Sequence, residues 1–520
     1  MPLDYKPKTP WPPKKWAAIQ DDVEKAAAWY ADDADLLQLF YNKATPASNT
    51  IGNRITSAVR GRKKSGAAAP RDTTRHAVSV PIAGDIAATS ADLLFGAEPS
   101  FVIPEAMNSK EAAAVAAANG ETAGASGPGS GATAAQDRLE EMLSDEGITS
   151  TLLEAAEIAS ALGGVYLRAG WDTAASDAPV LSVVQPDYAV PDFRYGHLVA
   201  VTLWEVIRNE NGRVVRHLER HEPGVIYHGL YSGSRDALGV KIALTAEDAT
   251  AGLADEIPTP WASGLLVRYI PNALPNRRHR SLPAGRPDTA GAETLMTALN
   301  ETFTSWLRDI RLGQARIIVP SEFVDRAGRG AGADFDVDRE VFVPLEMDPA
   351  AREKAGISPV EFKLRTAEHG ETALALITRI VQAARYSPQT FGLQLDGQAE
   401  SGTALRLREQ TTYRTTGKKQ RYFKAPVEAI LRALLEIESN IFARTVEPFR
   451  PRLQYGEDKT ESPRATAETV DLLKRAQAAS IETRIRMVNP EWGEDEVAAE
   501  AARIRAEEGL EVMNPDGLPV

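Results

Sequence analysis

The chain has no cysteine, only 7 histidines and no long hydrophobic run among its 520 residues. Without cysteine there can be no disulfide, Cys-ligated zinc, iron–sulfur cluster or thiol nucleophile. No stretch approaches the roughly 18 apolar residues that a transmembrane helix needs, and the first residues carry no apolar export signal. No pairing of a nucleophile with a base stands out either. We therefore expect a non-enzymatic protein with no catalytic residues, no cofactor and no membrane contact.

The charge balance is acidic. Lys and Arg number 59 against 72 Asp and Glu, for a net charge of −13, and the 43% hydrophobic content is ordinary for a globular protein. Such a surplus of acid argues against a broad basic surface wrapped by nucleic acid. Residues 54–76 are locally basic, and we interpret them as a solvated loop rather than a phosphate contact.

The first half of the chain has the pattern of a mixed helix-and-strand body. Apolar spacings of three and four predict a helix over 11–42, and alternation predicts a strand at Val78, Val80 and Ile82. An Ala- and Gly-rich stretch at about 105–135 predicts a mobile insertion, and helix resumes near residue 136 and again over 148–162. Asn211-Gly212 predicts a type I′ turn in a hairpin of residues 199–210 and 213–222. Residues 272–290 have the composition of a linker.

The second half is mostly helical. Amphipathic helices are predicted over about 290–313 and 368–385, on either side of a small β-rich excursion. A Gly- and Gln-containing loop at 386–402 then leads into a long helix over 403–443, where Pro426 predicts a kink because it lacks an N–H. The remaining residues are helical again. The expected fold class is mixed α+β and predominantly helical.

Two groups of side chains could bind a metal. His217, Glu219 and His221 alternate along a predicted strand and so share one face, but the favoured interpretation is a solvated outer face of the hairpin. Asp334, Asp336 and Asp338 imitate the start of a calcium loop, but Arg339 and Leu345 stand where Gly and Glu are required. We therefore predict no metal site, and a metal-dependent hydrolase is a remote alternative. The glycine repeats at 127–131 and 328–332 lack the flanking residues of a phosphate-binding loop.

Five blocks, in order along the chain, resemble tailed-bacteriophage portal proteins of the SPP1-type portal family, as found in phages of actinobacteria. They are Ile86–Gly96, Trp306–Gly313, Ala315–Pro320, Tyr386–Leu393 and Lys418–Phe423. The resemblance runs from about Trp11 to the last helix, and the insertion at 105–135 departs from it.

The resemblance implies a portal-type fold in six parts. These are an α/β wing (1–285), a stem of two helices (286–314 and 366–385), a small β-containing clip (315–365), a tunnel loop (386–402), a long kinked wing helix (403–443) and a helical crown (444–520). The DNA-facing loop residues would be Gln394, Asp396, Gly397, Gln398 and Ser401. The clip strands would contain Ile317, Val319, Phe335 and Val341.

The same resemblance implies a ring, typically a dodecamer, at one capsid vertex of the virion, assembled in the host cytoplasm. Double-stranded DNA would pass through it non-specifically during packaging and ejection. Further implied partners are the major capsid protein, the terminase motor and a head–tail connector or adaptor protein. The alternative is another virion structural protein, such as an adaptor or head-assembly protein.

Overall fold

Helices and sheets are mixed in this fold, and helices hold more residues than strands. The computed structural model describes residues 3–37, 40, 78–106, 130–145, 147–261, 263–312, 316–318, 358–360, 365–393, 402–456, 463–489 and 492–507. The principal helices are α1 (Lys14–Tyr30), α2 (Ile82–Phe95), α3 (Ser130–Asp145), α4 (Ile148–Leu162), α5 (Glu293–Leu312), α6 (Thr366–Ala383), α7 (Gly402–Asn440), α8 (Pro463–Arg475), α9 (Ile481–Val488) and α10 (Glu494–Glu507). The predicted mixed, predominantly helical fold class is confirmed.

Two antiparallel sheets and two strand pairs account for the strands of the described residues. The strands are β1 (Ser100–Val102), β2 (Gly164–Gly170), β3 (Val180–Val184), β4 (Ala189–Arg194), β5 (His197–Glu210), β6 (Arg213–Glu222), β7 (Val225–Gly233), β8 (Val240–Ile242), β9 (Glu256–Pro258), β10 (Val267–Pro271), β11 (Arg316–Ile318), β12 (Ser358–Val360) and β13 (Arg452–Gln454). The large sheet has the order β4-β5-β6-β7-β8, with β9 also pairing with β7, and the small sheet has the order β10-β2-β3. β1 pairs with β13, and β11 pairs with β12.

The hairpin of β5 and β6 forms where the sequence predicts it. Asn211 and Gly212 have φ values of 51° and 76°, so both occupy the left-handed region that a type I′ turn requires. The register runs from Glu210 opposite Arg213 at the turn to Val201 opposite His221. A short local signal therefore sets the centre of the large sheet.

The main hydrophobic core lies around α7. Phe423, Val427, Ile430, Leu431 and Leu434 are completely buried, and α7 packs against β2, β10 and α2. Their spacing of three and four places them on one face of the helix. Each such side chain contributes about 1.5–3 kcal/mol when removed from water. The helix runs unbroken from residue 402 to 440 through Pro426, so the predicted helix is confirmed, and the kink stays a prediction.

Helices α5 and α6 pack together as an antiparallel pair. At the start of α5, Met296 and Leu299 are fully buried with Ile380 and Val381 from the end of α6. At the other end, Asp309 of α5 accepts hydrogen bonds from Arg365, just before α6, and from His369 in its first turn, at 3.2 and 3.1 Å. The apolar stripe predicted on these helices is therefore only partly buried in the monomer, since Leu307, Ile310 and Leu374 are 38–42% exposed.

Two predictions for the amino-terminal half are wrong. The helix predicted over 11–42 ends at Tyr30, and Asp33 Oδ1 accepts the N–H of Leu36 at 2.9 Å, which starts a separate helical turn. The strand predicted at 78–82 is absent. The N–H groups of Val78 and Val80 donate instead to Thr304 and Asn300 of α5, each at 3.0 Å. Side chains of α5 thus accept the backbone hydrogen bonds that a neighbouring strand would otherwise accept.

Two composition-based predictions also need correction. Helix α3 begins at Ser130, inside the predicted insertion, and Ala132 and Ala135 are buried there because small side chains fit the core. Residues 107–129 of that insertion, and the basic segment 54–76, lie outside the described residues. The predicted linker at 272–290 has no helix or strand, but Asn272 and Asp288 are buried at 1% and 5% exposure. It is a packed connection.

Gly285 is the tightest point of that connection. A Cβ at this position would lie 2.1 Å from the carbonyl oxygen of Gly163, which accepts the N–H of Asn272 at 3.0 Å. We predict that Gly285→Ala lowers the free energy of unfolding by about 1–3 kcal/mol, the usual cost of overpacking. The measurement is the urea midpoint followed by tryptophan fluorescence. Gly252→Ala is the control, because a Cβ there has no atom within 4 Å, and an equal loss in both variants would contradict the prediction.

Candidate functional site

The predicted site residues are only partly within the described chain. The loop residues Gln394, Asp396, Gly397, Gln398 and Ser401 lie outside it, as do Val319, Phe335, Val341 and the acidic group at 334–338. Ile317 belongs to β11 and pairs with Pro359 of β12, so the two ends of residues 319–357 lie side by side. The described residues on either side, up to 393 and from 402, hold the two ends of the 394–401 segment.

The entrance to that segment is fixed against α7. Residues Pro388–Phe391 form one turn of 3-10 helix, ended by Gly392 with a φ of 70°. The N–H of Ser387 donates to Thr412 Oγ1 at 2.9 Å, and Thr390 shares a hydrogen bond of 2.9 Å with the same hydroxyl. Thr412 is 2% exposed. The loop predicted at 386–402 therefore begins with about eight residues that belong to the folded body.

Just behind this entrance, Asp288 collects hydrogen bonds from several segments of the chain. Its Oδ2 accepts from Ser160 of α4 at 2.6 Å, from Tyr386 after α6 at 3.0 Å and from the ammonium group of Lys419 in α7. Its Oδ1 accepts from Asn272 at 2.8 Å. Every oxygen of this buried carboxylate is thus bound, and the ion pair between Asp288 and Lys419 ties α4, α6 and α7 together.

Lys419 completes the network on the other side. Its Nζ also donates to Ser90 of α2 at 2.6 Å and lies 5.7 Å from the ring centre of Tyr386. The side chain is 3% exposed. Burial lowers the pKa of Lys419, and the neighbouring Asp288 carboxylate opposes that shift.

Three more buried carboxylates along α7 bind other segments. Glu438 receives Nε of Arg138 from α3 and Nε of Arg444, both at 3.0 Å. Glu436 accepts the N–H of Ser263 at 2.9 Å. Glu428 lies 3.2 Å from Arg450 and accepts the N–H of Leu453 in β13. Glu428, Glu436 and Glu438 are at most 2% exposed. The long helix is therefore attached by charge as well as by apolar packing.

The histidine group on β6 is buried, and the predicted solvated outer face is wrong. His217 and His221 are 5% and 1% exposed, and this face of β6 is turned toward β2 and β3, since Arg168 of β2 bonds to Glu219 and Val183 of β3 lines a cavity with His217. Glu219 receives Nε2 of His221 and, at 2.9 Å, a guanidinium nitrogen of Arg168 from β2. Alternation along β6 does put the three side chains together, but it does not tell which face of the sheet is covered.

A fourth residue, His228 of β7, joins this group. Nε2 of His217 lies 3.1 Å from Nδ1 of His228, and their rings stack at 5.3 Å, while Nδ1 of His217 lies 3.2 Å from Glu205. A cavity of about 270 Å³ lies alongside, lined in part by Arg168, Trp204 and Glu205. Within the described residues no group of three or more His, Asp or Glu is arranged to hold a metal ion.

Sequence reasoning missed the Lys419–Asp288 pair. Lys419 lies in a basic stretch of the sequence, where lysine side chains are usually exposed. The available signal is its spacing, because Lys419 precedes Phe423, Val427 and Ile430 by four, eight and eleven residues and so lies on the buried stripe. Asp288 has no comparable signal, since its burial depends on segments distant in the sequence.

Removing the side chain of Lys419 should leave the buried carboxylate of Asp288 without a positively charged partner. We predict that Lys419→Met lowers the free energy of unfolding by about 3–5 kcal/mol, because Asp288 then stays charged without a cation. Adding Asp288→Asn should recover part of that loss, with a coupling of about 1–3 kcal/mol in a double-mutant cycle. Lys418→Met is the control, because Lys418 is exposed. Additive effects in the cycle would contradict an energetically coupled pair.

The histidine group should make the large sheet sensitive to acid. Burial lowers the pKa of His228 from 6.5 to about 4, against the opposing attraction of Glu219. Between those values the unfolded chain binds a proton at this histidine that the folded chain does not, so stability falls as the pH falls from 6.5 to 4. The expected loss is about 1–3 kcal/mol.

The check is the urea midpoint measured at several pH values. In His228→Gln the slope between pH 6.5 and 4 should be shallower than in the wild type, whereas His197→Gln, at an exposed position of β5, should keep the wild-type slope. An unchanged slope in His228→Gln would show that another group causes the acid sensitivity.

No helix among the described residues has the length and apolarity of a membrane span.

Two solved structures align with most of the chain. One is the neck of an empty gene transfer agent (GTA) particle, with 13% identity, a TM-score of 0.36, and coverage of 83% of this chain and 96% of that one. The other is the virion of a native GTA particle, with 14% identity, a TM-score of 0.35, and coverage of 84% and 98%. No curated protein matches the chain significantly.

One protein family matches directly. The family described as phage portal protein, SPP1 Gp6-like, matches residues 245–511, which is just over half of the chain. The matched part contains α5, β11, β12, α6 and α7, and with them the Lys419–Asp288 pair. The chain therefore belongs to the SPP1 Gp6-like family of phage portal proteins, which are structural components of virions.

Proposed function

We propose that identical copies of this chain form a ring at one capsid vertex and that double-stranded DNA passes through its centre during packaging and ejection. The observation that carries this proposal is the family match, which covers the predicted stem, clip, tunnel loop and long helix in that order. The other partners we propose are the major capsid protein, the terminase motor and a head–tail connector or adaptor protein. The subunit number we propose is twelve.

The helix pair supports the proposal by its shape. Helix α5 has 20 residues and is about 30 Å long. The ion pair of Lys419 and Asp288 lies near its first residue, and β11 begins shortly after its last. We propose that the helix pair α5–α6 holds β11 and β12, which we assign to the clip, away from the body that would form the wing.

The exposed part of the same pair gives the ring a contact surface. Leu307 and Ile310 lie toward the β11–β12 end of α5 and Leu374 lies at the middle of α6, and the monomer leaves all three 38–42% exposed. A ring needs one surface that binds a different surface on the next copy, repeated around an axis. We assign these apolar side chains to that contact, so that the monomer's core and the ring's interface share one helix stripe.

The loop sequence supports passage of DNA without tight binding. Residues 394–401 contain no Lys or Arg, and Asp396 and Glu400 add negative charge. Each phosphate neutralised by a basic side chain adds salt-sensitive affinity, which would slow a sliding duplex. Gln394, Gln398 and Ser401 can contact a passing backbone through single neutral hydrogen bonds.

The structure sharpens the experiment on this loop. Residues 386–393 anchor the body through Tyr386 and Ser387, so only 394–401 should be changed. We predict that replacing these eight residues with a Gly/Ser sequence of equal length leaves annular particles visible by electron microscopy. DNA packaging into capsids should fall strongly. The control is a Gly/Ser replacement of residues 172–177, the mostly exposed turn between β2 and β3, which should leave both unchanged.

Each outcome has a distinct meaning. Loss of rings in the loop variant would assign 394–401 to assembly and favour the alternative of a head-assembly or adaptor protein. Normal packaging with the replaced loop would contradict a DNA-facing role for Gln394, Asp396 and Gln398. Concentrated wild-type protein without any annular particle would overturn the ring itself.

A further inference from the structure

A cavity of about 490 Å³ opens between α1, the packed connection 272–292 and the start of α5. One wall is apolar and includes Val23, Trp29 and Phe40. The lining also includes three arginines, Arg277, Arg278 and Arg286, and two carboxylates, Asp22 and Glu293, which both pair with Arg278. A ligand that fills this cavity must therefore carry an apolar group and a negative charge side by side.

Two of the three arginines, Arg277 and Arg286, form no ion pair with the described residues. Arg278 is satisfied by Asp22 at 2.8 Å, but Arg277 is exposed and has no ion pair with any described residue. The Nε of Arg286 is buried without a hydrogen-bond partner in the described structure. The carboxylate of Asp288, whose charge acts on Arg286, is already paired with Lys419. Burial lowers the pKa of Arg286, and the positive charge of Arg277 lowers it further.

A carboxylate is the group that Arg277 and Arg286 lack. Arginine binds carboxylates through two parallel hydrogen bonds, and such charge-assisted bonds are about twice as strong as neutral ones. The occupant should be a protein segment, because a cavity with an aromatic wall matches an apolar side chain beside the acid. A DNA backbone offers phosphates but no apolar group. The chain's own basic segment, 54–76, has the wrong charge.

We propose that the cavity receives an acidic segment from a second copy of this chain, with a carboxylate on Arg277 and Arg286 and an adjacent apolar side chain against Trp29 and Phe40. The argument for a second copy is charge complementarity. The chain carries 72 acidic residues and a net charge of −13, so each copy offers many carboxylates to this isolated cationic cavity. The inference rests on the proposed ring and adds a specific contact between neighbours.

The first test measures assembly. Arg277→Glu should raise the protein concentration at which half of the full-length chain is assembled by about tenfold or more, because the carboxylates then repel each other. Arg194→Glu makes the same charge change at an exposed position of β4 and should assemble as the wild type does. Sedimentation velocity gives the assembled fraction, and a thermal melt confirms that both variants are folded.

The second test identifies the partner residue. In Arg277→Lys the positive charge remains and a carbodiimide can link the new amine directly to a contacting carboxylate. Mixed rings of ¹⁵N-labelled and unlabelled copies should give linked peptides that contain both isotopes, which proves a contact between copies. Links only within one isotope, or no link at this position, would overturn the proposal.

The outcomes separate this inference from the proposed function. Wild-type rings together with normal assembly of Arg277→Glu would overturn the cavity contact and leave the ring intact. Absence of wild-type rings would count against the proposed function itself. Normal assembly of Arg277→Glu with a weaker salt dependence of DNA binding would assign Arg277 to DNA phosphates, and the proposal would be wrong.

Discussion

The buried ion pair of Lys419 and Asp288 is the contact on which the arrangement of the matched region depends. It joins the long helix α7 to the connection that precedes α5. The hydroxyl groups of Ser90 in α2, Ser160 in α4 and Tyr386 after α6 donate to or accept from the same two charged groups. A buried pair is weak evidence of net stabilisation, but it strongly penalises any arrangement that separates the charges. The ion pair of Lys419 and Asp288 therefore fixes the position at which the helix pair α5–α6 meets the body.

That fixed base explains how one helix pair can serve two purposes. Near the pair of charges, Met296, Leu299, Ile380 and Val381 are completely buried in the monomer. Toward β11 and β12 the apolar stripe continues, but the described residues leave Leu307 and Ile310 38% and 41% exposed. A helix pair held rigidly at one end presents its free end at a defined angle. In the proposed ring this lets identical copies repeat one contact without first ordering the surface that makes it.

Local patterns predicted most of the secondary structure. The helices α4 to α7 and the Asn211-Gly212 hairpin follow from periodicity and turn chemistry within a few residues. Burial of charged and polar groups could not be predicted in this way. The burial of Lys419 was not predicted at all, and His217, Glu219 and His221 were interpreted as a solvated face. Both errors have one cause, because a single strand or helix shows which side chains share a face, whereas distant segments decide which face is covered.

The placement of the cations suggests why an acidic chain suits a DNA conduit. Lys419, Arg138 and Arg168 are engaged by carboxylates inside the body. Arg277 and Arg286 line a cavity on its surface, and we propose that a neighbouring copy neutralises them. In the proposed function, cations used in this way stabilise the subunit and its contacts and are not available to bind a passing duplex. Since basic residues exposed to phosphates would retard DNA in proportion to their number, cohesion between copies and free movement of DNA then depend on the same distribution of charge.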